Sequence, residues 1–171
     1  MRMIIQSRLI VFSDYECGQQ LQEHQSNAAD SQEGDRMSIK GIYDIHCHIV
    51  PGVDDGATDI GETVKLLRME YEQGVRTVIA TPHFRFRMFE TPAEKVREQF
   101  RLVEKAASEI SPDLHVYLGC EFHANMEMLP MLREQKVMTM AGSRYVLTEF
   151  SHNSEESYIR ERLGALLSGG Y

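Results

Sequence analysis

An α/β fold with parallel strands is predicted for this chain of 171 residues. Short apolar runs of strand length alternate with longer segments whose apolar residues recur at helical spacing, repeatedly between residues 41 and 171. This alternation predicts a parallel sheet connected by right-handed helical crossovers. In addition, a histidine or a glutamate follows each predicted strand. Folds of this class build their functional sites from loops at the carboxyl ends of strands, so these residues are expected to converge.

The first predicted strand, residues 42–45, leads directly into a His-x-His pair formed by His46 and His48. Side chains alternate between two faces in an extended segment. Asp44 is therefore expected beside the two histidines, and Cys47 on the opposite face. Two imidazoles on one face can chelate a single metal ion.

The loop after this pair adds two carboxylates, Asp54 and Asp55, and two glycines. Imidazole and carboxylate ligands together suit borderline divalent ions such as manganese, iron and zinc. The alternative for an isolated histidine pair is a polar strand end that binds no metal. The neighbouring carboxylates favour the metal interpretation.

Two helices have clear sequence signals. The first is expected to begin after Asp59, which can cap its first turn, and to end at Gly74. The second is expected to have Thr91 as its cap and Pro92 at its first helical position. Apolar residues then recur at spacings of three and four as far as Ile110, which predicts one buried face.

Three further strands are predicted, each ending next to a candidate ligand: residues 77–80 before His83, 115–118 before Glu121, and 145–148 before Glu149. A short helix is expected at residues 126–134 and a last helix at 155–167. If the four strands lie side by side, the histidines and glutamates at their ends are directed to one place.

The composition limits the classes of function. A net charge of −8 argues against a nucleic-acid groove, because surfaces that follow phosphates are usually basic. Cys17, Cys47 and Cys120 have neither the spacing of a disulfide framework nor that of a zinc finger, which indicates a reducing, cytoplasmic environment. No apolar run in the sequence approaches the length of a membrane span.

Residues 1–40 differ from the rest of the chain. They are polar, rich in Gln, Glu, Ser and Asp, and without helix or strand periodicity, so they are expected to form a disordered tail. Residues 41–171 are expected to form one domain. Met37 lies just before the first strand and is an alternative start of translation.

Several segments, in order along the chain, carry a family resemblance: DIHCHIVPGVDDGA, GVRTVIATPH, MFETPAEK, GCEFH and YVLTEFS. Together they resemble the manganese-dependent tyrosine phosphatases of bacterial capsule and exopolysaccharide clusters, which belong to the PHP superfamily. The resemblance extends over residues 42–171. It implies a distorted seven-stranded β/α barrel around a cluster of three metal ions. This chain would contain an incomplete barrel of about four strand-helix units.

The resemblance also implies a set of metal ligands, usually for manganese, with other divalent ions as alternatives: His46, His48, Asp55, His83, Glu121 and Glu149. In this scheme the histidine pair binds the first ion and Glu121 bridges to the second. Glu149 is a further ligand of the second ion, while Asp55 and His83 bind the third ion. Asp54 is expected to support a ligand or a turn. The remaining histidines are not expected to bind metal. His123 is the strongest candidate for an exception, because it follows Glu121 by two residues.

The implied chemistry is hydrolysis by metal-bound water, which leaves no side chain assigned as catalytic. Arg85 and Arg87 are candidate phosphate contacts, with a solvated pair of loop arginines as the alternative. The apolar residues between 84 and 89 indicate an aromatic substrate surface, a subunit contact, or packing under the next helix.

A cysteine-dependent tyrosine phosphatase is excluded, because that mechanism needs an arginine six positions after the cysteine. The residues found there are Glu23, Val53 and Met126.

By this resemblance the substrate is a phosphotyrosine protein, a bacterial tyrosine autokinase that controls polysaccharide synthesis. A homo-oligomer is a further expectation. Full family members continue through three more strands with additional ligands, whereas this chain ends at Tyr171. Two alternatives therefore remain. One is a non-catalytic remnant or binding module, and the other is a PHP phosphoesterase acting on histidinol phosphate or another small phosphate ester.

Overall fold

The computed structural model describes residues 41–171. Its strands are β1 (Ile42–Cys47), β2 (Val75–Ala80), β3 (His83–Phe84), β4 (His115–Leu118), β5 (Glu121–His123) and β6 (Leu147–Glu149). Its helices are α1 (Ile60–Glu72), α2 (Ala93–Ile110), α3 (Met128–Arg133) and α4 (Glu156–Ser168), with a 3₁₀ turn at Met140–Gly142. The predicted tail at residues 1–40, including the alternative start Met37, lies outside the described residues.

The strands form two parallel three-stranded sheets, in the orders β1-β2-β4 and β3-β5-β6. The α/β prediction with parallel strands is confirmed. The four predicted strands correspond to β1, β2, β4 and β6. The short strands β3 and β5, which follow β2 and β4 after a break, were not predicted, and they form the second sheet with β6. Pro82 lies in the first break and has no backbone N–H to donate to a ladder.

Backbone hydrogen bonds nevertheless continue from the first sheet into these breaks. The N–H of Thr81 donates to the carbonyl of Cys47 at 2.8 Å, and that of Gly119 donates to Ala80 at 2.7 Å. Gly119 also allows a close approach, since a Cβ there would lie 3.0 Å from the Met140 sulfur. The carboxyl ends of the first sheet therefore lead directly into the second sheet.

Each sheet has its own apolar core. Helices α1 and α2 cover the first sheet, and the shared core includes Leu67 of α1, Val78 of β2 and Val103 of α2. Residues of α3 and α4 pack around the fully buried Phe122 of the second sheet. Each buried large side chain stabilises the fold by roughly 1.5–3 kcal/mol. Within residues 41–171, no helix has the length and apolar character that a membrane span requires.

The start of α1 agrees with the prediction from the sequence, whereas the start of α2 differs from it. Asp59 caps α1 and accepts a hydrogen bond from the Glu62 N–H at 3.0 Å. Pro92 occupies the cap position of α2, so the prediction of Thr91 as the cap is wrong. The Thr91 hydroxyl instead donates to the Val53 carbonyl at 2.8 Å, which ties the loop after β1 to the start of α2.

Candidate metal centre

The end of β1 delivers two imidazoles to one carboxylate. Nε2 of His46 lies 2.9 Å from Oε2 of Glu121, and Nε2 of His48 lies 3.1 Å from the same oxygen. A register irregularity between Asp44 and Cys47 interrupts the regular alternation of β1. Asp44 lies close to the two histidines, as predicted: it accepts the backbone N–H of His46 at 2.9 Å, and both imidazoles attract its carboxylate. As a candidate metal ligand, however, that carboxylate groups with Cys47 and Glu70 and with neither imidazole.

A third imidazole reaches Glu121 from the neighbouring strand. His83 on β3 is the register partner of Glu121 on β5, and parallel pairing directs both side chains to one face. Nδ1 of His83 lies 3.3 Å from Oε2 of Glu121. The rings of His48 and His83 are 4.5 Å apart. One carboxylate oxygen is thus surrounded by three histidines from two elements.

Asp55 and Glu149 lie on opposite flanks of this cluster. Oδ1 of Asp55 is 3.8 Å from Nε2 of His83, and Oε2 of Glu149 is 3.9 Å from Nδ1 of the same ring. All six predicted ligands fall into three overlapping groups whose donor atoms lie within 4.8 Å of one another: His46, His48 and Glu121; His48, Asp55 and His83; His83, Glu121 and Glu149.

Asp54 holds two of the histidine segments in position. Its Oδ2 lies 2.8 Å from Nδ1 of His48 and accepts the backbone N–H of His83 at 2.8 Å. Its Oδ1 accepts the N–H of Gly56 at 3.0 Å. A carboxylate on the far nitrogen of a histidine fixes the orientation of the ring and directs the other nitrogen outward. Asp54 therefore orients His48 toward Glu121.

Charges within the cluster stabilise one another. Burial disfavours the carboxylate of Glu121, but hydrogen bonds from His46 and His48 outweigh it and hold the pKa of Glu121 well below its usual range. Burial also disfavours the charged form of His48, yet hydrogen bonds with Asp54 and Glu121 raise its pKa to about 9. Without a metal ion, a proton on His48 supplies positive charge that stabilises these carboxylates.

The donor set fits a divalent ion. Nδ1 of His83 and Oε2 of Glu149 are buried and have no hydrogen-bond partner within the described part of the chain. Buried polar atoms of this kind normally have partners, so both atoms are available to bind a metal ion. Imidazole nitrogens with carboxylate oxygens suit borderline ions such as manganese, iron and zinc.

Metal binding is expected to strengthen as pH rises toward about 9. Below that pH His48 carries a proton in the metal-free protein, and a bound ion has to displace it. This group alone should weaken Mn²⁺ binding by about tenfold for each pH unit below its pKa. Calorimetric titration between pH 6.5 and 9 tests this, and an affinity that stays constant across the range would contradict it.

The arrangement has known relatives. Residues 42–171 match the family described as "Capsular polysaccharide synthesis, CpsB/CapC". The chain belongs to the CpsB/CapC family. The family resemblance seen in the sequence motifs is thereby confirmed.

Individual members of the CpsB/CapC family are similar over the same region. The chain is 41% identical over 129 residues to the tyrosine-protein phosphatase CpsB of Streptococcus pneumoniae, covering 75% of this chain and 53% of that protein. It is 32% identical over 130 residues to the tyrosine-protein phosphatase YwqE of Bacillus subtilis, covering 76% of this chain and 51% of that protein. The chain therefore spans about half the length of these relatives.

A solved structure agrees with this relationship. It comes from crystal structures of YwqE from B. subtilis and CpsB from S. pneumoniae, described as unique metal-dependent tyrosine phosphatases. The match has a TM-score of 0.69 and 32% sequence identity, and it covers 76% of this chain and 53% of the other. The fold of the CpsB/CapC region is thus shared in both sequence and structure.

The two loop arginines of this CpsB/CapC chain occupy different environments. Nη1 of Arg85 lies 4.0 Å from Oε1 of Glu149, at the edge of the cluster. Arg87 is exposed at the tip of a turn and has a φ of 62°, a left-handed conformation. The turn is closed by two hydrogen bonds of 2.8 Å between the backbones of Arg85 and Phe89. Arg85 is therefore the better placed of the two for a phosphate bound at the cluster.

The apolar residues of the same loop divide into two groups. Phe89 stacks on His83 at 5.1 Å, and Phe84 packs edge-on against Phe122 at 5.6 Å. Packing thus accounts for these two. Phe86 and Met88 are 45% and 60% exposed. The ring of Phe86 nevertheless packs edge-on against the ring of Phe84 at 5.7 Å, so packing accounts for Phe86 in part.

The two described cysteines, Cys47 and Cys120, are free and buried. Burial raises the pKa of both thiols, which keeps them protonated and unreactive. This environment agrees with the exclusion of a cysteine-dependent mechanism.

One contact near the cluster is not predictable from the sequence. Nε2 of His123 lies 3.1 Å from Oγ of Ser151, and the described residues include no candidate metal group with His123. The pairing depends on the register of β5 with β6, which places His123 opposite Glu149. Because β5 is only three residues long, the sequence carries no signal for that register.

Proposed function

We propose that this chain is a metal-dependent protein-tyrosine phosphatase and that its described residues 41–171 bind the metal ions. The supporting observation is one carboxylate oxygen of Glu121 within 3.3 Å of nitrogens from His46, His48 and His83. The substrate proposed is phosphotyrosine on a protein, and specifically on a cytoplasmic tyrosine kinase that controls capsular or exopolysaccharide synthesis. The CpsB/CapC family description and the names of the relatives support this class of substrate.

The proposed metal ligands share the carboxyl ends of the strands and the loops that follow: His46, His48, Asp55, His83, Glu121 and Glu149. Manganese is the ion proposed, with up to three ions in a complete barrel of PHP type that residues 41–171 form in part. Bound divalent ions would supply a Lewis acid that polarises the phosphoryl oxygens and lowers the pKa of water.

The chain's own side chains have binding and orienting roles in this proposal. Asp54 fixes the ring of His48 through Nδ1 and the backbone of His83 through its N–H. Arg85 is a candidate for binding a phosphate oxygen, since its guanidinium lies at the edge of the cluster. Phe89 stacks on His83 and shields that side of the imidazole from water. No cysteine nucleophile takes part.

The test is hydrolysis of a phosphotyrosine peptide by the purified 171-residue chain after metal removal and addition of Mn²⁺. We expect release of phosphate that is abolished by a chelator and by His46→Ala. His115→Ala is the matched control, because His115 is exposed at the start of β4 and should leave hydrolysis unchanged.

Three outcomes would contradict the proposal. Hydrolysis that survives both chelation and His46→Ala would remove the metal mechanism. Faster hydrolysis of histidinol phosphate or a phosphoserine peptide than of the phosphotyrosine peptide would change the substrate class. Binding of Mn²⁺ without hydrolysis of any ester would identify the chain as a non-catalytic module.

A further inference from the structure

The turn that follows β3 places three exposed side chains beside the metal centre. Its tip, residues 86–88, consists of Phe86, Arg87 and Met88. We propose that this tip binds the residues that flank phosphotyrosine in the substrate protein, with acidic side chains on Arg87 and apolar side chains on Phe86 and Met88. This role rests on the proposed phosphatase function and adds a determinant of substrate sequence to it.

The base of the turn contacts the metal centre through both of its ends. The ring of Phe89 stacks on that of His83 at 5.1 Å, with only 10° between the two planes. Nη1 of Arg85 lies 4.0 Å from Oε1 of Glu149. Two backbone hydrogen bonds of 2.8 Å join Arg85 to Phe89. The tip is therefore only one or two residues along the chain from side chains that contact proposed metal ligands.

The turn is held in one conformation by contacts of its own. The Met88 N–H donates to the Arg85 carbonyl at 3.1 Å. The ring of Phe86 packs edge-on against Phe84 at 5.7 Å, and Phe84 packs in turn against the fully buried Phe122 at 5.6 Å. A surface that is already ordered costs less conformational entropy when it binds a partner. The tip is thus preorganised for a ligand.

The exposed side chains of the tip combine apolar area with a free positive charge. Phe86 is 45% exposed and Met88 is 60% exposed. Arg87 forms no ion pair with any of the residues 41–171. Adjacent exposed apolar side chains mark interaction sites, and the flexible thioether of methionine adapts to different partners. A peptide with acidic and apolar residues complements both features.

The dimensions of an extended peptide fit this arrangement. Each residue of an extended chain advances by about 3.3 Å, so residues one or two positions from phosphotyrosine lie within about 7 Å of it. The tip has the same separation along its own chain from Arg85 and Phe89 at the base of the turn. A phosphotyrosine bound at the histidine cluster would therefore bring its neighbouring residues to the tip.

The test is binding of labelled peptides to the 171-residue chain in Mn²⁺, measured by fluorescence anisotropy. Each peptide carries phosphonomethyl-phenylalanine, a non-hydrolysable analogue of phosphotyrosine, between flanks of glycine, aspartate or leucine. Identical flanks on both sides make the result independent of peptide direction. We expect aspartate flanks to bind about two- to fivefold more tightly than glycine flanks, as for an exposed ion pair. Leucine flanks should bind about fourfold more tightly, the equivalent of one buried methylene group.

Two variants of the tip should lose different preferences. Arg87→Gly removes the guanidinium and suits the left-handed φ of 62° at this position. It should lose the aspartate preference and keep the leucine preference, whereas Met88→Gln should do the reverse. Arg101→Ala and Met69→Gln are the matched controls, because both residues are exposed on helices outside the turn. Both controls should keep both preferences.

Several outcomes would overturn the proposal. They are equal affinity of the wild type for the three peptides, an aspartate preference that survives Arg87→Gly, or a leucine preference that survives Met88→Gln. Equal weakening of all three peptides by Arg87→Gly would assign Arg87 to the phosphate instead. A wild-type dimer that Met88→Gln converts to a monomer, with unchanged peptide preferences, would make the tip a subunit contact; sedimentation equilibrium measures this.

The peptide with glycine flanks separates this proposal from the proposed function. Its binding, and the loss of that binding in His46→Ala, depend on the metal centre and not on the flanking residues. If this peptide binds and the other two show no preference over it, the role of the tip fails while the phosphatase function stands. If none of the three peptides binds, both proposals fail.

Discussion

Glu121→Gln is expected to abolish metal binding at the histidine cluster. The variant keeps the size of the side chain but replaces the charged oxygen that lies within 3.3 Å of three imidazole nitrogens. An amide has no negative charge to offer a cation, and its N–H₂ group would repel one. We expect Mn²⁺ affinity to fall by at least about 100-fold, since even loss of an outer partner of a metal ligand costs about 10–100-fold. Manganese-dependent phosphotyrosine hydrolysis should fall with it.

Calorimetric titration with Mn²⁺ measures this effect, together with phosphate release from a phosphotyrosine peptide. Glu104→Gln is the matched control. Glu104 is exposed on α2, and its substitution makes the same change in net charge. Circular dichroism of both variants should match the wild type. If Glu121→Gln binds Mn²⁺ as tightly as Glu104→Gln does, the cluster is not the metal centre.

Gly56→Ala is expected to destabilise the loop that follows the histidine pair. A Cβ at this position would overlap the carbonyl oxygen and Cβ of His48, and it would lie 2.9 Å from the carbonyl carbon of His48. These atoms belong to the backbone or are fixed to it, so they cannot move aside cheaply. Overpacking of this kind typically costs about 1–3 kcal/mol of folding free energy.

The same substitution should also weaken Mn²⁺ binding. The N–H of Gly56 donates to Asp54, and the neighbouring Ala57 N–H donates to the His48 carbonyl at 2.9 Å. Displacing this loop therefore moves both His48 and the carboxylate that orients it. Because those two residues act together, stability and metal affinity should decrease in one variant.

Urea unfolding of the metal-free chain measures the loss of stability, and Mn²⁺ titration measures the loss of affinity. Gly164→Ala is the matched control, since a Cβ at Gly164 has no neighbour within 4 Å and the residue lies inside α4. That control should stabilise the chain by roughly 0.5–1 kcal/mol, because alanine favours the helix. Equal unfolding midpoints for Gly56→Ala and the wild type would show that the loop accommodates the methyl group.

Local sequence signals were sufficient where neighbouring residues control the structure. The cap at Asp59 and the buried face of α2 follow from backbone hydrogen bonding and helical spacing, both of which act within a few residues. The prediction of Thr91 as the cap of α2 failed because a contact distant in sequence controls that side chain. Its hydroxyl bonds to Val53, which is distant in sequence, and that contact replaces the predicted cap.

The metal centre was partly accessible from sequence. Candidate ligands could be identified because histidine and glutamate repeatedly follow apolar strands, and because their motifs resemble a known family. The pairing of each carboxylate with an imidazole could not be predicted, because those distances depend on strand register. His83 faces Glu121 through the pairing of β3 with β5, and both strands lie beyond breaks that the apolar pattern did not reveal.

The sequence by itself determined the α/β class, the order of the main elements, the family and the candidate ligands. These properties depend on residue type and on short-range spacing, which a sequence displays directly. Tertiary structure alone decided that Asp54 supports two histidine segments, that Arg85 and Arg87 differ in environment, and that the Asp44 carboxylate lies with Cys47 and Glu70. An irregularity in one strand and two breaks in the ladder cause these differences, because each resets which face a side chain occupies.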